Sequence, residues 1–103
     1  MTTPINRNDV LRAEETIRGR VHRTPLFTAS SLGTVVLKAE LFQKTGSFKV
    51  RGVLNKLASL TDEEKSLGVI GISAGNHAQA LAWGAAAEGI DALVVMYKGA
   101  SEA

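Results

Sequence analysis

Two short turns carry the residue types best suited to chemistry, and each turn opens a predicted helix. The first, KTGSFKVRG at positions 44–52, places Lys49 shortly after a Gly-Ser pair. The second, SAGNHAQ at positions 73–79, has a glycine directly ahead of Asn76 and His77. A lysine amine can attack a carbonyl group, and a glycine turn at a helix start can present backbone N–H groups to an anion.

The turn at 73–79 follows a predicted parallel strand, at the edge where open α/β sheets bind ligands. The positive end of the helix dipole and the unpaired N–H groups there attract anions, including carboxylates. Ser73 and Asn76 add hydroxyl and amide hydrogen bonds, and His77 adds a further donor. Gly75 lets the backbone approach a ligand closely. Ordinary helix capping by Ser73 or Asn76 accounts for the same residues, so their types alone leave both interpretations open.

Lys49 can form a Schiff base only when its amine is deprotonated, which partial burial beside an apolar side chain such as Phe48 favours. Helical spacing places Lys49 at the border of the apolar stripe of its predicted helix. Lys56 lies on much the same border, so spacing does not single out Lys49. From spacing alone, a solvated surface lysine is the favoured interpretation.

Composition and motif content disfavour several other classes of function. The 103 residues include no cysteine and only two histidines, neither beside a carboxylate cluster, so no metal site is expected. No Gly-x-Gly-x-x-Gly or Walker-type loop is present. Scattered basic residues, a net charge of +2 and few aromatic residues give no basis for nucleic-acid binding. Without an apolar run of about 20 residues or a signal peptide, we expect a cytoplasmic protein with no membrane segment.

Local signals predict an α/β fold with a partial parallel sheet and flanking helices. The chain from 69 to 96 has the pattern strand, helix, strand, which predicts one right-handed parallel crossover. Its second strand, 91–96, is a continuous apolar run, typical of a strand buried on both faces. The other predicted elements are a helix capped by Asn8 and Asp9 and running to about Arg18, an extended stretch at 23–26, a strand at 35–40, a helix from Ser47 to about Leu60, a helical turn at 61–68 and a helix at 78–87.

Together, the two turns resemble the signatures of a known enzyme family. KTGSFKVRG closely resembles the lysine signature of the fold-type II pyridoxal-phosphate enzymes, in particular their threonine dehydratase and serine racemase branch. SAGNHAQ resembles the second signature of that family, and the segments at 23–26 and 37–40 match its usual lead-in. The resemblance implies pyridoxal 5′-phosphate as cofactor, an amino acid as substrate and the N-terminal part of a tryptophan-synthase-β-like fold.

The resemblance also implies a role for each matching residue. Lys49 would hold the cofactor covalently and later move protons at the substrate α-carbon, while Phe48 would pack against the pyridine ring. Asn76 would hydrogen-bond the ring hydroxyl. The substrate carboxylate would be held by four residues together with neighbouring backbone amides: Ser73, Gly75, Asn76 and His77.

Ala74 favours one reaction within that branch. Racemases that resemble this chain usually carry a serine directly after the position of Ser73, as a base on the opposite ring face, whereas Ala74 has no proton to exchange. This favours one-base α,β-elimination of threonine or serine to a 2-oxo acid and ammonia. The resemblance further implies a place in isoleucine biosynthesis. The alternatives are a non-catalytic fragment that associates with other chains and a serine racemase.

Members of the family are several times longer than this chain, so the resemblance covers only their N-terminal portion. We expect residues 1–52 to contribute to the large cofactor domain and residues 53–103 to open the small α/β domain, both incomplete. The glycine-rich phosphate loop and the partner of the pyridine nitrogen are expected downstream. The full-length enzyme is expected to be a homo-oligomer, and the isolated chain to be inactive.

Overall fold

The chain folds into short helices and strands, and the computed structural model describes residues 3–100 of it. The helices are α1 (Arg7–Ile17), α2 (Lys49–Ala58), α3 (Asp62–Leu67) and α4 (Asn76–Glu88), and the strands are β1 (Leu26–Ala29), β2 (Val35–Lys38), β3 (Val69–Ile72) and β4 (Ala92–Val95). Within residues 3–100, no helix is long and apolar enough to cross a membrane. The α/β class predicted from the sequence is confirmed.

Strands β3 and β4 pair in parallel with α4 between them in the chain, which confirms the predicted strand, helix, strand pattern and its parallel pairing. Their register aligns Ile72 with Val95. The N–H of Val69 donates to the carbonyl of Asp91 at 2.8 Å, and the N–H of Ser73 donates to the carbonyl of Val95 at 3.0 Å. The hydrogen bonds between the strands therefore continue to Ser73, just past the carboxyl end of β3, and fix it three residues before the start of α4.

The outer face of this strand pair is exposed, so the prediction that the second strand is buried on both faces is wrong. Ile70 and Ile72 of β3 are 67% and 81% exposed, and Leu93 of β4 is 60% exposed. Alternate residues of a strand point to opposite faces. Within the part of the chain that the structure describes, α4 and the core cover only the face that carries Val69 and Val94.

The core lies where α2 packs against α4. Val50 and Leu54 of α2 are fully buried, as is Ala80 of α4. Gly84 lies at the closest approach, because a Cβ added there would be 2.8 Å from Cγ1 of Val53. The small residues of α4 thus let the two helices pack closely. This close packing also brings the N-termini of α2 and α4 near each other.

Helix α1 begins with Asn6 as its cap, not with Asn8 or Asp9 as predicted. The side-chain oxygen of Asn6 accepts hydrogen bonds from the N–H groups of Asn8 at 2.8 Å and Asp9 at 3.2 Å. The Asp9 carboxylate in turn accepts from the N–H of Asn6 at 2.8 Å. This reciprocal pattern is a capping box, so Asn8 and Asp9 lie inside the first turn of the helix.

Strands β1 and β2 form an antiparallel pair that the sequence predicted only in part. The extended stretch expected at 23–26 leads into β1, and the strand expected at 35–40 is confirmed but ends at Lys38. Short 3-10 turns at Glu40–Phe42 and Lys44–Gly46 follow it. The pair thereby delivers the chain to the turn that precedes Lys49.

Replacing Gly84 by alanine should destabilise the contact between α2 and α4. The new Cβ would lie 2.8 Å from Val53 Cγ1 and 3.3 Å from Leu57 Cδ1. Gly52→Ala in α2 is the matched control, because its Cβ would meet nothing within 4 Å and the gain in helix propensity is the same. Overpacking costs about 1–3 kcal/mol. The free energy of unfolding measured with urea should therefore be lower for Gly84→Ala than for Gly52→Ala by that amount. Equal unfolding free energies would contradict the close packing.

Candidate active site

Lys49 is the first residue of α2, and its side chain is exposed. The hydroxyl of Ser47 accepts a hydrogen bond from the N–H of Lys49 at 3.4 Å. The helix begins two residues after Ser47 and ends at Ala58, slightly shorter than predicted. The Lys49 ammonium stands over the Phe48 ring, 5.5 Å from its centroid. Because Phe48 is itself 60% exposed, it flanks the amine without burying it, and Lys49 is the exposed lysine that spacing alone favoured.

The turn that leads to α2 contains a strained residue. Thr45 has φ +61° and is followed by Gly46 with φ +76°. A β-branched residue in this left-handed region costs on the order of 1–3 kcal/mol. The hydroxyl of Thr45 is also buried with no hydrogen-bond partner among residues 3–100. The sequence predicted a turn within 44–52, but nothing about a threonine signals a positive φ.

Gln43 ties the same turn to the N-terminal segment, and sequence reasoning missed it. Its buried side chain accepts a hydrogen bond from the N–H of His22 and donates one to the carbonyl of His22, both at 2.8 Å. The same amide oxygen accepts from the N–H of Lys44 at 3.0 Å. Gln43 therefore fixes the start of the lysine-bearing turn, and only the folded chain brings His22 within its reach.

A half-buried ion pair joins the end of the strand pair to α2. Arg51 donates from Nε to the carboxylate of Glu40, and from Nη2 to the carbonyl of His22 at 3.4 Å. Burial raises the pKa of Glu40, but hydrogen bonding from Arg51, its positive charge and a hydrogen bond from Gln43 together outweigh burial and lower that pKa. The ionised carboxylate thus holds Arg51 in the first turn of α2, two residues beyond Lys49.

The start of α4 presents backbone N–H groups that no side chain within residues 3–100 caps. Gly75 occupies the cap position, and its carbonyl accepts the first helical hydrogen bond, from the N–H of Gln79 at 3.3 Å. The hydroxyl of Ser73 accepts from the N–H of Gly75 at 3.1 Å, so Ser73 stabilises the turn and not the helix. Capping by Asn76, which the residue types left open, is not found in this part of the chain. The first turn of α4 therefore keeps the N–H groups that an anion needs.

A groove of about 420 Å³ connects the starts of α2 and α4. Lys49 and Lys56 of α2 line one part of it, and His77 of α4 lines another. Its apolar lining consists of Val53, Leu57, Leu60, Val69, Ile70 and Leu81. The other predicted site residues lie on the turns where α2 and α4 begin and do not line the groove: Phe48, Ser73, Gly75 and Asn76.

A larger groove, of about 760 Å³, lies between α1 and α2. Arg51 and the segment from Arg18 to Arg23 contribute to its walls, and no predicted site residue lines it. We therefore assign the candidate site to the smaller groove, because both chemistry-bearing turns adjoin it.

Replacing Gln43 by methionine should loosen the lysine-bearing turn, because it keeps the chain length and removes the amide that pairs with His22. Because the backbone groups of His22 and Lys44 that Gln43 pairs with are only part-buried, the loss should be about 1 kcal/mol, which urea unfolding would measure. Gln79→Met on the exposed side of α4 is the control and should leave stability within about 0.5 kcal/mol. Equal effects of the two substitutions would show that the Gln43 amide does not hold the turn.

Acid should lower the stability of the fold by protonating Glu40. Because its pKa is lowered in the folded state, the pair with Arg51 contributes stability above the ordinary carboxyl pKa of 4.5 and loses it as pH falls through the folded-state pKa. The free energy of unfolding, measured with urea from neutral pH to below 4.5, should therefore fall more steeply for wild type than for Glu40→Gln. Parallel pH profiles would contradict the lowered pKa.

Comparison with known proteins identifies relatives of this chain by sequence and by structure. A family model described as pyridoxal-phosphate dependent enzyme matches residues 17–103. The L-threonine dehydratase catabolic TdcB of Escherichia coli K12 is 46% identical over 102 residues, which cover 94% of this chain and 31% of that protein. The L-threonine ammonia-lyase of Thermotoga maritima is 47% identical over 97 residues, which cover 89% of this chain and 24% of that protein.

Among solved structures, maize serine racemase matches with a TM-score of 0.86 and 38% identity, over 92% of this chain and 30% of that one. The chain thus spans less than a third of the length of these relatives. The resemblance inferred from the two turns is confirmed, including the branch that holds threonine dehydratases and serine racemases. The chain belongs to the family of pyridoxal-phosphate-dependent enzymes.

Proposed function

We propose that Lys49 and the start of α4 form the lysine-bearing half of a pyridoxal-phosphate site, in an enzyme that dehydrates threonine or serine to a 2-oxo acid and ammonia. The groove that connects Lys49 with His77 is the observation that carries this proposal. It joins the two turns that sequence resemblance had identified separately. The E. coli and T. maritima relatives are named for activity on L-threonine, which supports this substrate class.

The residues at this groove fit the cofactor. The exposed Lys49 amine is accessible to an aldehyde, and the adjoining Phe48 ring offers an apolar surface to a flat heterocycle. Space around Gly75 is open, because a Cβ there would meet nothing within 4 Å. Asn76 is exposed at the start of α4, where its amide is available to a ring hydroxyl. When bound, the cofactor supplies an electron sink for the substrate α-carbon.

The substrate carboxylate has a matching site at the start of α4. The N–H groups of the first turn and the positive end of the helix dipole favour a negative charge there. Ser73 and Asn76 add a hydroxyl and an amide, and His77 lies at the groove between this turn and Lys49. Holding the carboxylate here orients the α-carbon toward the groove, where the Lys49 amine would accept and return its proton.

Ala74 supports elimination over racemisation, because a methyl side chain cannot exchange a proton on the face opposite Lys49. It lies exposed in the turn between β3 and α4, beside the proposed carboxylate site. Serine racemisation is the second candidate, supported by the structural match to maize serine racemase.

The remaining features of the longer enzyme are part of the proposal. We assign residues 1–52 to the large cofactor domain and 53–103 to the small one, with α2 shared between the two portions. The exposed apolar face of β3 and β4 supports association with further polypeptide. We also propose that the longer enzyme is a cytoplasmic homo-oligomer. A degradative role has support from the relative named catabolic, whereas the predicted place in isoleucine biosynthesis has none.

Lys49 should react selectively with pyridoxal phosphate. We would add the cofactor to the 103-residue chain, reduce with borohydride and map the modified lysines by mass spectrometry. Lys49 should be labelled ahead of every other lysine, since it alone lies both in the groove and at the start of α2. Lys56→Ala is the matched control, because Lys56 lines the same groove about 10 Å further along α2.

Labelling of Lys49 should be unchanged in the Lys56→Ala chain. Equal labelling of Lys49 and Lys56 would contradict the assignment of Lys49. Labelling spread over all lysines, or none, would favour the non-catalytic fragment.

A further inference from the structure

The lysine-bearing turn packs on α4 directly, and not only through α2. The 3-10 turn at Lys44–Gly46 has α4 as its main neighbour beyond the adjoining 3-10 turn. The Lys44 ammonium lies over the ring of Trp83, 5.1 Å from the ring centroid. Trp83 is the one tryptophan of the chain and lies about two helical turns after Asn76, where α4 begins. A second contact thus joins the turn that precedes Lys49 to the helix whose start is the proposed carboxylate site.

The Trp83 ring is a fixed platform for this ammonium. It is half-buried and packs against the core cluster in which α2 meets α4. Among aromatic rings, an indole attracts a cation most strongly, within about 6 Å of the ring centroid. Because packing against the core holds the ring, the contact constrains the lysine more than the ring.

Lys44 is held at both its backbone and its charge. Its N–H donates to the buried Gln43 amide at 3.0 Å. Its ammonium forms no ion pair with a carboxylate within residues 3–100, so the ring of Trp83 is the partner of its charge there. Both contacts act directly before Thr45, whose positive φ is unfavourable in isolation. A strained residue persists where its surroundings over-determine it, and Gln43 and Trp83 supply that support on one side.

The second lysine–ring contact within residues 3–100 does not join two elements. Lys49 lies over Phe48, its neighbour in sequence, and that ring is exposed. Lys44 and Trp83 are 39 positions apart in the sequence, and both are half-buried. The contact of Lys44 is therefore the one that ties separate parts of the chain together.

We propose that Trp83 is a positioning residue for Lys49. By holding the Lys44 ammonium, its ring seats the lysine-bearing turn on α4, and this sets the position of Lys49 relative to the start of that helix. The inference rests on the proposed function only in assigning Lys49 and the start of α4 to one site. The link between Lys44 and Trp83 holds independently of that assignment.

The single indole N–H resonance of Trp83 reports the link in the 103-residue chain. Lys44→Met keeps the side-chain length and removes the charge, so this resonance should shift. Lys38→Met is the control, because it removes the same charge from an exposed lysine of β2 that lies over no ring within residues 3–100. It should leave the indole resonance in place. An indole resonance that Lys44→Met does not move would overturn the proposal.

A double-mutant cycle measures the strength of the link. Lys44→Met should lower the ratio of folded to unfolded chain about two- to fivefold in wild type, as expected for a cation–π contact. In the Trp83→Leu background, the same substitution should leave the ratio unchanged. Additive effects of the two substitutions would overturn the proposal.

Backbone amide resonances separate positioning from stability. Lys44→Met and Trp83→Leu should displace the same resonances, those of Thr45, Gly46 and Lys49. Lys44→Arg keeps a cation over the ring and should leave them close to their wild-type positions. If these amides stay in place in both Lys44→Met and Trp83→Leu, the positioning role is overturned even where stability falls.

Thr61→Ala is the control for stability alone. It removes the hydroxyl that caps α3, and α3 is not a main neighbour of the lysine-bearing turn. Stability should therefore fall without displacement of the amides of the turn. If Trp83→Leu does not fold, the two Lys44 variants decide: amides displaced by Lys44→Met and retained by Lys44→Arg support the proposal, and amides displaced alike by both overturn it.

Cofactor labelling then separates this inference from the proposed function. Where wild type labels Lys49 selectively, Trp83→Leu and Lys44→Met should label it roughly three- to tenfold more slowly, since a misplacement of about 1 Å costs up to ~10²-fold. Lys38→Met should label Lys49 at the wild-type rate, which excludes a general loss of attraction for the anionic cofactor. A wild-type rate in Trp83→Leu would overturn the positioning role.

Unselective labelling in wild type and in every variant would instead contradict the proposed function. The indole resonance and the amides of the turn would still decide whether Trp83 holds Lys44 and seats the turn on α4.

Discussion

The contact between α2 and α4 is the interaction on which the rest of the structure depends. It buries Val50, Leu54 and Leu57 almost completely, and each buried side chain of this size contributes about 1.5–3 kcal/mol. Because the two candidate turns are the starts of these two helices, the same packing that forms the core also brings Lys49 and His77 to one groove. The small residues of α4 are therefore as necessary for the site as the residues that line it.

Polar interactions with the N-terminal segment and with the start of α2 also hold the lysine-bearing turn. Gln43 pairs with the backbone of His22, and Glu40 pairs with Arg51 at the start of α2. These contacts hold the chain on both sides of Thr45, whose positive φ is unfavourable in isolation. A strained, firmly held turn is the kind of support that keeps a reactive amine in a fixed place.

The sequence predicted those features that rest on local chemistry. The apolar runs predicted β3 and β4, the capping box of Thr61 predicted α3, and the two signatures identified the family and the candidate residues. The exposed outer face of β3 and β4 was not predicted, because an apolar run indicates what a strand can bury and not which neighbours are present. The role of Gln43 arises from a partner that only the fold brings close, so no spacing in the sequence marks it.

The central claim is that Lys49 and the start of α4 belong to one binding site. The most direct test is a titration of the ¹⁵N-labelled chain with pyridoxal phosphate, followed through its backbone amide resonances. We predict that the resonances of Lys49, Asn76 and His77 shift together along one binding curve, although 27 positions of sequence separate Lys49 from Asn76. Shifts confined to scattered lysines, with the amides at the start of α4 unmoved, would contradict the account.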